Sequence, residues 1–257
     1  MTEAARPAET LPRKPNNLVG PAILLIWIGL GAWLVNQPSG PAVFAFVMVG
    51  WVLAVMAHEF SHAAIAYLAG DHTVAAKGYL SFDPRRYGDL GTSLVIPLLA
   101  LMLGGVGFPG GAVYLRHDLM RSKAWSAAAS LAGPAATFLV LAALSVGLRT
   151  WASFGGGGAL YDALTVIAFL QAMALILNLL PIPGLDGFNA IRPFLPRSWA
   201  PAIRKGEGLA MLALLALIFI VPGASAALFT AAAVLGRLTG LDLQALQDGW
   251  NAFHFWR

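Results

Sequence analysis

The stretch that decides the fold is Ala54-Val-Met-Ala-His58-Glu59-Phe60-Ser61-His62-Ala-Ala-Ile-Ala66, which sits in the middle of an apolar run from about Pro41 to Gly70. About 20 apolar residues suffice to cross a ~30 Å hydrocarbon core, so this run reads as a membrane-spanning helix. Its polar residues lie close together: His58, Glu59, Ser61 and His62. In a helix, positions i and i+4 share a face, so the two imidazoles can bind one Zn²⁺ while Glu59, beside them, acts as general base toward an attacking water. Ionisable groups at membrane depth cost about 2.5–3.5 kcal/mol each on insertion scales, and a divalent cation is the natural compensation for three of them.

Outward from this helix the chain keeps the same character. Of its 257 residues 58% are hydrophobic and only 11% charged, far from the roughly 25% charge of soluble domains. Both a water-soluble globule and a chain disordered through low hydrophobicity are excluded. The net charge of +4 is spread over few charges, so it reports membrane orientation rather than nucleic-acid binding. With no cysteine, neither disulfides nor thiolate ligands are available, and a metal must be held by His, Asp or Glu.

Residues 1–17 form a polar tail carrying Arg6, Arg13 and Lys14, followed at once by the apolar run 18–35, read as a retained spanning helix rather than a cleaved signal. Further apolar runs cover 91–107, 124–148, 159–180 and 209–238, the last interrupted by Val221-Pro222-Gly223, where a kink or gate is expected. About six membrane segments result, in an all-α polytopic protein. Residues 18–240 read as a single integral-membrane domain and 241–257 as a C-terminal tail. Basic residues concentrate in three connecting segments: Lys77, Arg85 and Arg86; Arg116, Arg121 and Lys123; Arg192, Arg197, Arg204 and Lys205. All share the cytoplasmic face with the N-terminal tail if the run 91–107 is re-entrant or interfacial, leaving Arg149 outside. The stretch 104–115 is glycine-rich and then β-prone, and a short strand near Gly111 to Leu115 is expected, able to hold an unwound peptide by edge pairing.

A tetrahedral catalytic site needs a third protein ligand. His72, Asp71, Asp89, His117, Asp162 and Asp186 are candidates. Asp186 stands out because Asn178-Leu-Leu-Pro-Ile-Pro-Gly-Leu-Asp-Gly187 must unwind the backbone at membrane depth, which is tolerated only where it lines a cavity or is buried in protein. His117 and His254 read as solvated, and His72 as the marker of a helix end.

Together these stretches resemble the site-2 protease family of intramembrane zinc metalloproteases, in its compact prokaryotic form without PDZ or CBS domains. The matching residues are His58-Glu-Phe-Ser-His62, Ala69-Gly-Asp71, Phe82-Asp-Pro-Arg-Arg-Tyr-Gly-Asp-Leu-Gly-Thr92, Leu131-Ala-Gly-Pro134 and Asn178 to Gly187. The resemblance implies that His58, His62 and Asp186 bind one zinc ion, that Glu59 is the general base and that Asn178 supports the site. It further implies an intramembrane endopeptidase of the cell membrane, cutting membrane-spanning segments or signal-peptide remnants. The partners expected are transmembrane substrates and the lipid bilayer, with no nucleic acid. Two departures stand out: Thr137 occupies a position where family members commonly carry Asn, and Asp83-Pro84 replaces Asn-Pro. Thr137 favours one alternative reading, a catalytically silent adaptor that binds membrane segments. A metal or proton transporter is another, but neither paired halves nor charged pathways accompany the cluster.

Overall fold

A computed structural model describes residues 18–87, 96–104, 106, 113–221 and 223–257. Every regular element among them is a helix, and the chain is an all-α polytopic membrane protein. Four helices are long and apolar enough to cross a bilayer: α1 (Val19–Asn36), α2 (Gly40–Ala69), α5 (Lys123–Ser153) and α6 (Ala159–Asn178). A bent pair, α8 (Ala200–Ile220) and α9 (Ala224–Thr239), can supply a fifth crossing; the two axes differ by 89° across Val221–Gly223, where the sequence predicts a break. The remaining helices are short: α3 (Thr73–Ala76), α4 (Ile96–Gly104), α7 (Asp186–Ile191) and α10 (Leu243–Phe253). The nine residues of α4 span about 13 Å; of the run 91–107, residues 91–95, 105 and 107 lie outside the described residues.

Local chemistry explains the boundaries. Pro41 falls in the first turn of α2, where its missing N–H costs nothing, and Gly70 ends the helix at φ 117°, a left-handed cap that favours glycine. Ser122 caps α5 by accepting the Trp125 N–H at 3.2 Å. Helix α6 forms the centre of the bundle, with 78% of its apolar window buried, whereas α1 buries only 17% of its own and presents Leu25, Ile26 and Ile28 outward. In a bilayer such an outward apolar face meets acyl chains rather than water.

Two expectations need correction. Residues 241–257 are not a tail: Asp242 caps α10 by accepting the Gln244 and Ala245 N–H groups, and the helix packs against α6 so closely that a Cβ on Gly249 would lie 2.5 Å from the Asp162 carbonyl oxygen. Phe253 is fully buried and His254 nearly so, at 5% exposure, so His254 is not solvated. The helix is amphipathic, and its few apolar residues are spaced to face the bundle without forming a long apolar run. The second concerns the strand expected near 111–115: Val113–Leu115 carries no strand assignment, and 111–112 lie outside the described residues.

Candidate metal centre

Because α2 is an uninterrupted helix, His58 and His62 project one turn apart from a single face, and both rings are buried against α5. Ala129 on α5 presents a carbonyl to His62 Nδ1 at 2.7 Å. A carbonyl can only accept, so Nδ1 carries the proton and Nε2 keeps its lone pair. His58 Nδ1 lies 2.9 Å from the Thr137 hydroxyl, one turn beyond Gly133 on the same helix. Donation from Nδ1 to that oxygen leaves His58 Nε2 as a second lone-pair donor.

The third donor comes from the other end of the bundle. After α6 the chain runs through Pro181, Pro183 and Gly184 without helical structure and re-enters a helix at Asp186, the first residue of α7. Gly184 takes φ 101°, a left-handed backbone suited to glycine, and a Cβ on Gly187 would lie 2.3 Å from the Leu179 carbonyl oxygen. This tight fold-back carries the Asp186 carboxylate to the imidazoles. Asp186 Oδ2 is 3.1 Å from His58 Nε2, Asp186 Oδ1 is 3.4 Å from His62 Nε2, and the two Nε2 atoms are 3.0 Å apart. Ligands of one tetrahedral zinc, at about 2.0–2.1 Å from the ion, stand roughly 3.3 Å from one another, so the donor set fits the ion in both chemistry and spacing.

Glu59 is buried at 2% exposure beside the cluster, and its Oε2 accepts the Val113 N–H at 3.1 Å. The segment 113–116 is fixed by side chains: Asp71 Oδ2 accepts the Arg116 N–H at 2.7 Å, and Lys77 Nζ donates to the Tyr114 carbonyl at 2.8 Å. Asp71 is therefore a fully buried anchor rather than a ligand. His72 stacks edge-on against Tyr67, His117 bonds through Nδ1 to the Ser126 hydroxyl, and Asp162 sits in the first turn of α6, far from Asn178 at its other end. Asp89 lies outside the described residues. Burial lowers the His117 pKa, with the Arg192 charge acting in the same direction. Asp83 is buried and caps the Pro84–Arg86 turn; its hydrogen bonds from the Arg85 side chain hold its pKa below the ordinary value.

Gly133 lies in the Leu131-Ala-Gly-Pro134 stretch, whose residue types announce no role at a metal centre. A Cβ there would lie 2.3 Å from His62 Nε2 and 2.5 Å from His58 Nε2, so this glycine makes room for the two rings against α5. The Ala129 carbonyl and the Val113 amide are backbone groups and carried no side-chain signal. Asn178 ends α6, buried, and borders a cavity of about 20 Å³ together with His58 and Thr137, outside the donor cluster.

No family model matches the chain, and no solved structure matches it. Curated relatives do. Rip2 of Mycobacterium tuberculosis strain H37Rv, named as a candidate zinc metalloprotease, is 38% identical over 232 residues, 89% of this chain and 88% of its own length. The chain belongs to the site-2 protease family. Rip2 of Mycolicibacterium smegmatis, under the same name, is 43% identical over 186 residues, 69% of this chain and 71% of its own. Similarity extends to YwhC of Bacillus subtilis strain 168, also named as a candidate zinc metalloprotease, at 25% identity over 186 residues, 69% of this chain and 81% of its own.

Proposed function

We propose that this family member is a zinc endopeptidase that hydrolyses peptide bonds in membrane-spanning segments, within the bilayer. One observation carries the reading: two imidazoles from α2 and a carboxylate from the broken segment after α6 converge within 4.8 Å, with Glu59 buried alongside. The names of the relatives support the metal and the reaction class. His58, His62 and Asp186 hold the ion. Zinc bound there lowers the pKa of water to around 7 and polarises a carbonyl.

The chain's own residues do the rest. Ala129 and Thr137 fix the imidazoles with Nε2 turned inward, and Gly133 lets α5 close over them. Glu59 takes the proton of the attacking water and returns it to the leaving amine, while the Val113 N–H orients its carboxylate. A substrate helix hides its carbonyls in its own hydrogen bonds and must unwind to be cut. The segment 113–116, pinned by Asp71 and Lys77, leaves part of its backbone free beside Glu59 to receive the unwound peptide. An apolar cavity of about 650 Å³ bordered by α1, α2 and Leu80–Phe82 reaches Ala57, next to His58, and gives a hydrophobic segment a route to the site. Thr137, the residue that favoured a silent adaptor, is bonded to His58, so the departure keeps the ring oriented. The excess of basic residues in the connecting segments supports an orientation with these segments and the N-terminus in the cytoplasm.

Zinc content of the purified protein, measured together with cleavage of a model membrane peptide, tests this in the native chain and in Glu59→Gln. Zinc retained with cleavage reduced by about 10²–10⁴ is the expected outcome; equal cleavage by both proteins rejects the reading.

A further inference from the structure

Beside His58 the bundle holds the cavity of about 20 Å³ noted above, bordered by Trp51, Thr137, Gln171 and Asn178. Two of the residues around it carry buried donors without a protein partner: Trp51 Nε1 and Gln171 Nε2, on residues each 2% exposed. An unpaired buried N–H costs about 1–3 kcal/mol, and two around one small space are a heavy penalty unless something in that space accepts from both. A cavity needs roughly 10–15 Å³ to hold one water, and a buried water typically makes about three hydrogen bonds. The space is large enough for one water and too small for anything else.

We infer that this cavity is a water site that serves the metal centre, with Trp51 and Gln171 as positioning residues. One water oxygen accepts from the Trp51 and Gln171 N–H groups, and its two hydrogens go to the Thr137 hydroxyl oxygen and the Asn178 side-chain carbonyl. The Thr137 hydroxyl oxygen lies 2.9 Å from His58 Nδ1. Its oxygen therefore joins the water to the imidazole. A hydroxyl that receives the imidazole proton and is itself held in place fixes both the tautomer and the ring plane of His58. Three helices then meet at one solvent molecule: α2 through Trp51, α5 through Thr137 and α6 through Gln171 and Asn178.

The inference rests on the zinc reading above, and two measurements keep their failures apart. In lipid nanodiscs, zinc affinity is measured by competition with a chromogenic chelator for the native chain, Trp51→Phe, Gln171→Met and Thr137→Val, and for each of the first two combined with Thr137→Val. Phe and Met keep the packing and remove the N–H. Removing a supporting partner of a ligand costs about 10–100-fold in affinity, so Thr137→Val falls in that range and the two single variants lose affinity by a smaller factor. Coupling is the deciding feature: in the Thr137→Val background the additional loss disappears, because the path to His58 is already cut. Full additivity, or unchanged affinity in both single variants, overturns the inference. Independently of any metal, the native-minus-Trp51→Phe resonance-Raman difference reads the hydrogen bonding of that indole N–H. A bonded position is expected and a free one overturns the water site. Native protein that takes up no zinc but shows a bonded indole rejects the proposed function and leaves the water site standing.

Discussion

The two halves of the metal centre are built by opposite means. The α2 half is a regular 30-residue helix whose spacing alone puts two imidazoles on one face, and each ring is locked by α5 through the Ala129 carbonyl or the Thr137 hydroxyl. The other half reaches the same point by giving up the helix: Pro181, Pro183 and the left-handed Gly184 break it, and Gly187 allows the chain to fold back onto Leu179. A straight helix sets direction well but fixes each side chain to its own rail. An interrupted one can deliver a carboxylate sideways between neighbours, at the cost of unpaired backbone that has to be buried in protein.

The sharpest way to break the contrast is to crowd each half at its glycine. Gly133→Val places branched carbon atoms where the imidazole Nε2 atoms now stand, so zinc binding and cleavage should both vanish, as metal analysis and peptide turnover would show. Gly187→Ala acts on the broken half alone, because its clash is with backbone at Leu179. Asp186 should be displaced and zinc affinity should fall by more than about 100-fold, beyond the loss expected for a residue that only supports a ligand. Asp186→Asn, which keeps the shape and removes the charge, should match it; normal chelator-competition affinity in both would show that the carboxylate is no ligand. Next in size comes Thr137→Val, with zinc affinity about 10–100-fold weaker, restored by Thr137→Ser, whose hydroxyl can still accept from His58. Smallest is Asp83→Asn, at a residue outside the donor cluster. Arg85 is more than half exposed, so losing this pair should destabilise only slightly. Since the folded Asp83 pKa is depressed below 3.8, its contribution is complete above that value and fades as pH falls through the lower folded value, which thermal unfolding of native and variant at acid and neutral pH would reveal.

The same contrast explains what could be read from the chain. His58, Glu59 and His62 are legible because helical periodicity is a local property, and Asp186 because Pro and Gly at membrane depth announce irregular backbone. That these meet is tertiary, and only the fold supplies it. Groups that complete the site from the main chain, the Val113 amide and the Ala129 carbonyl, have no residue type to betray them. Trp51 and Gln171 did carry a signal, since polar donors in buried apolar helices require partners, but nothing in the sequence says that both border the cavity shared with His58. Residues 113–116 are held by side chains from α2 and the turn after it, which no local pattern announces: Glu59 accepts the Val113 N–H, Asp71 accepts the Arg116 N–H, and Lys77 donates to the Tyr114 carbonyl. Helix α10 escaped because a search for long apolar runs overlooks a short amphipathic one.

Gly133 also has an evolutionary consequence. The space above that α carbon is occupied only while two imidazoles need it, so selection against every larger side chain there lasts as long as the histidines do. In a lineage that abandons the chemistry, position 133 is released to drift along with them, and an alanine or valine at this site would mark a descendant that no longer gathers an ion.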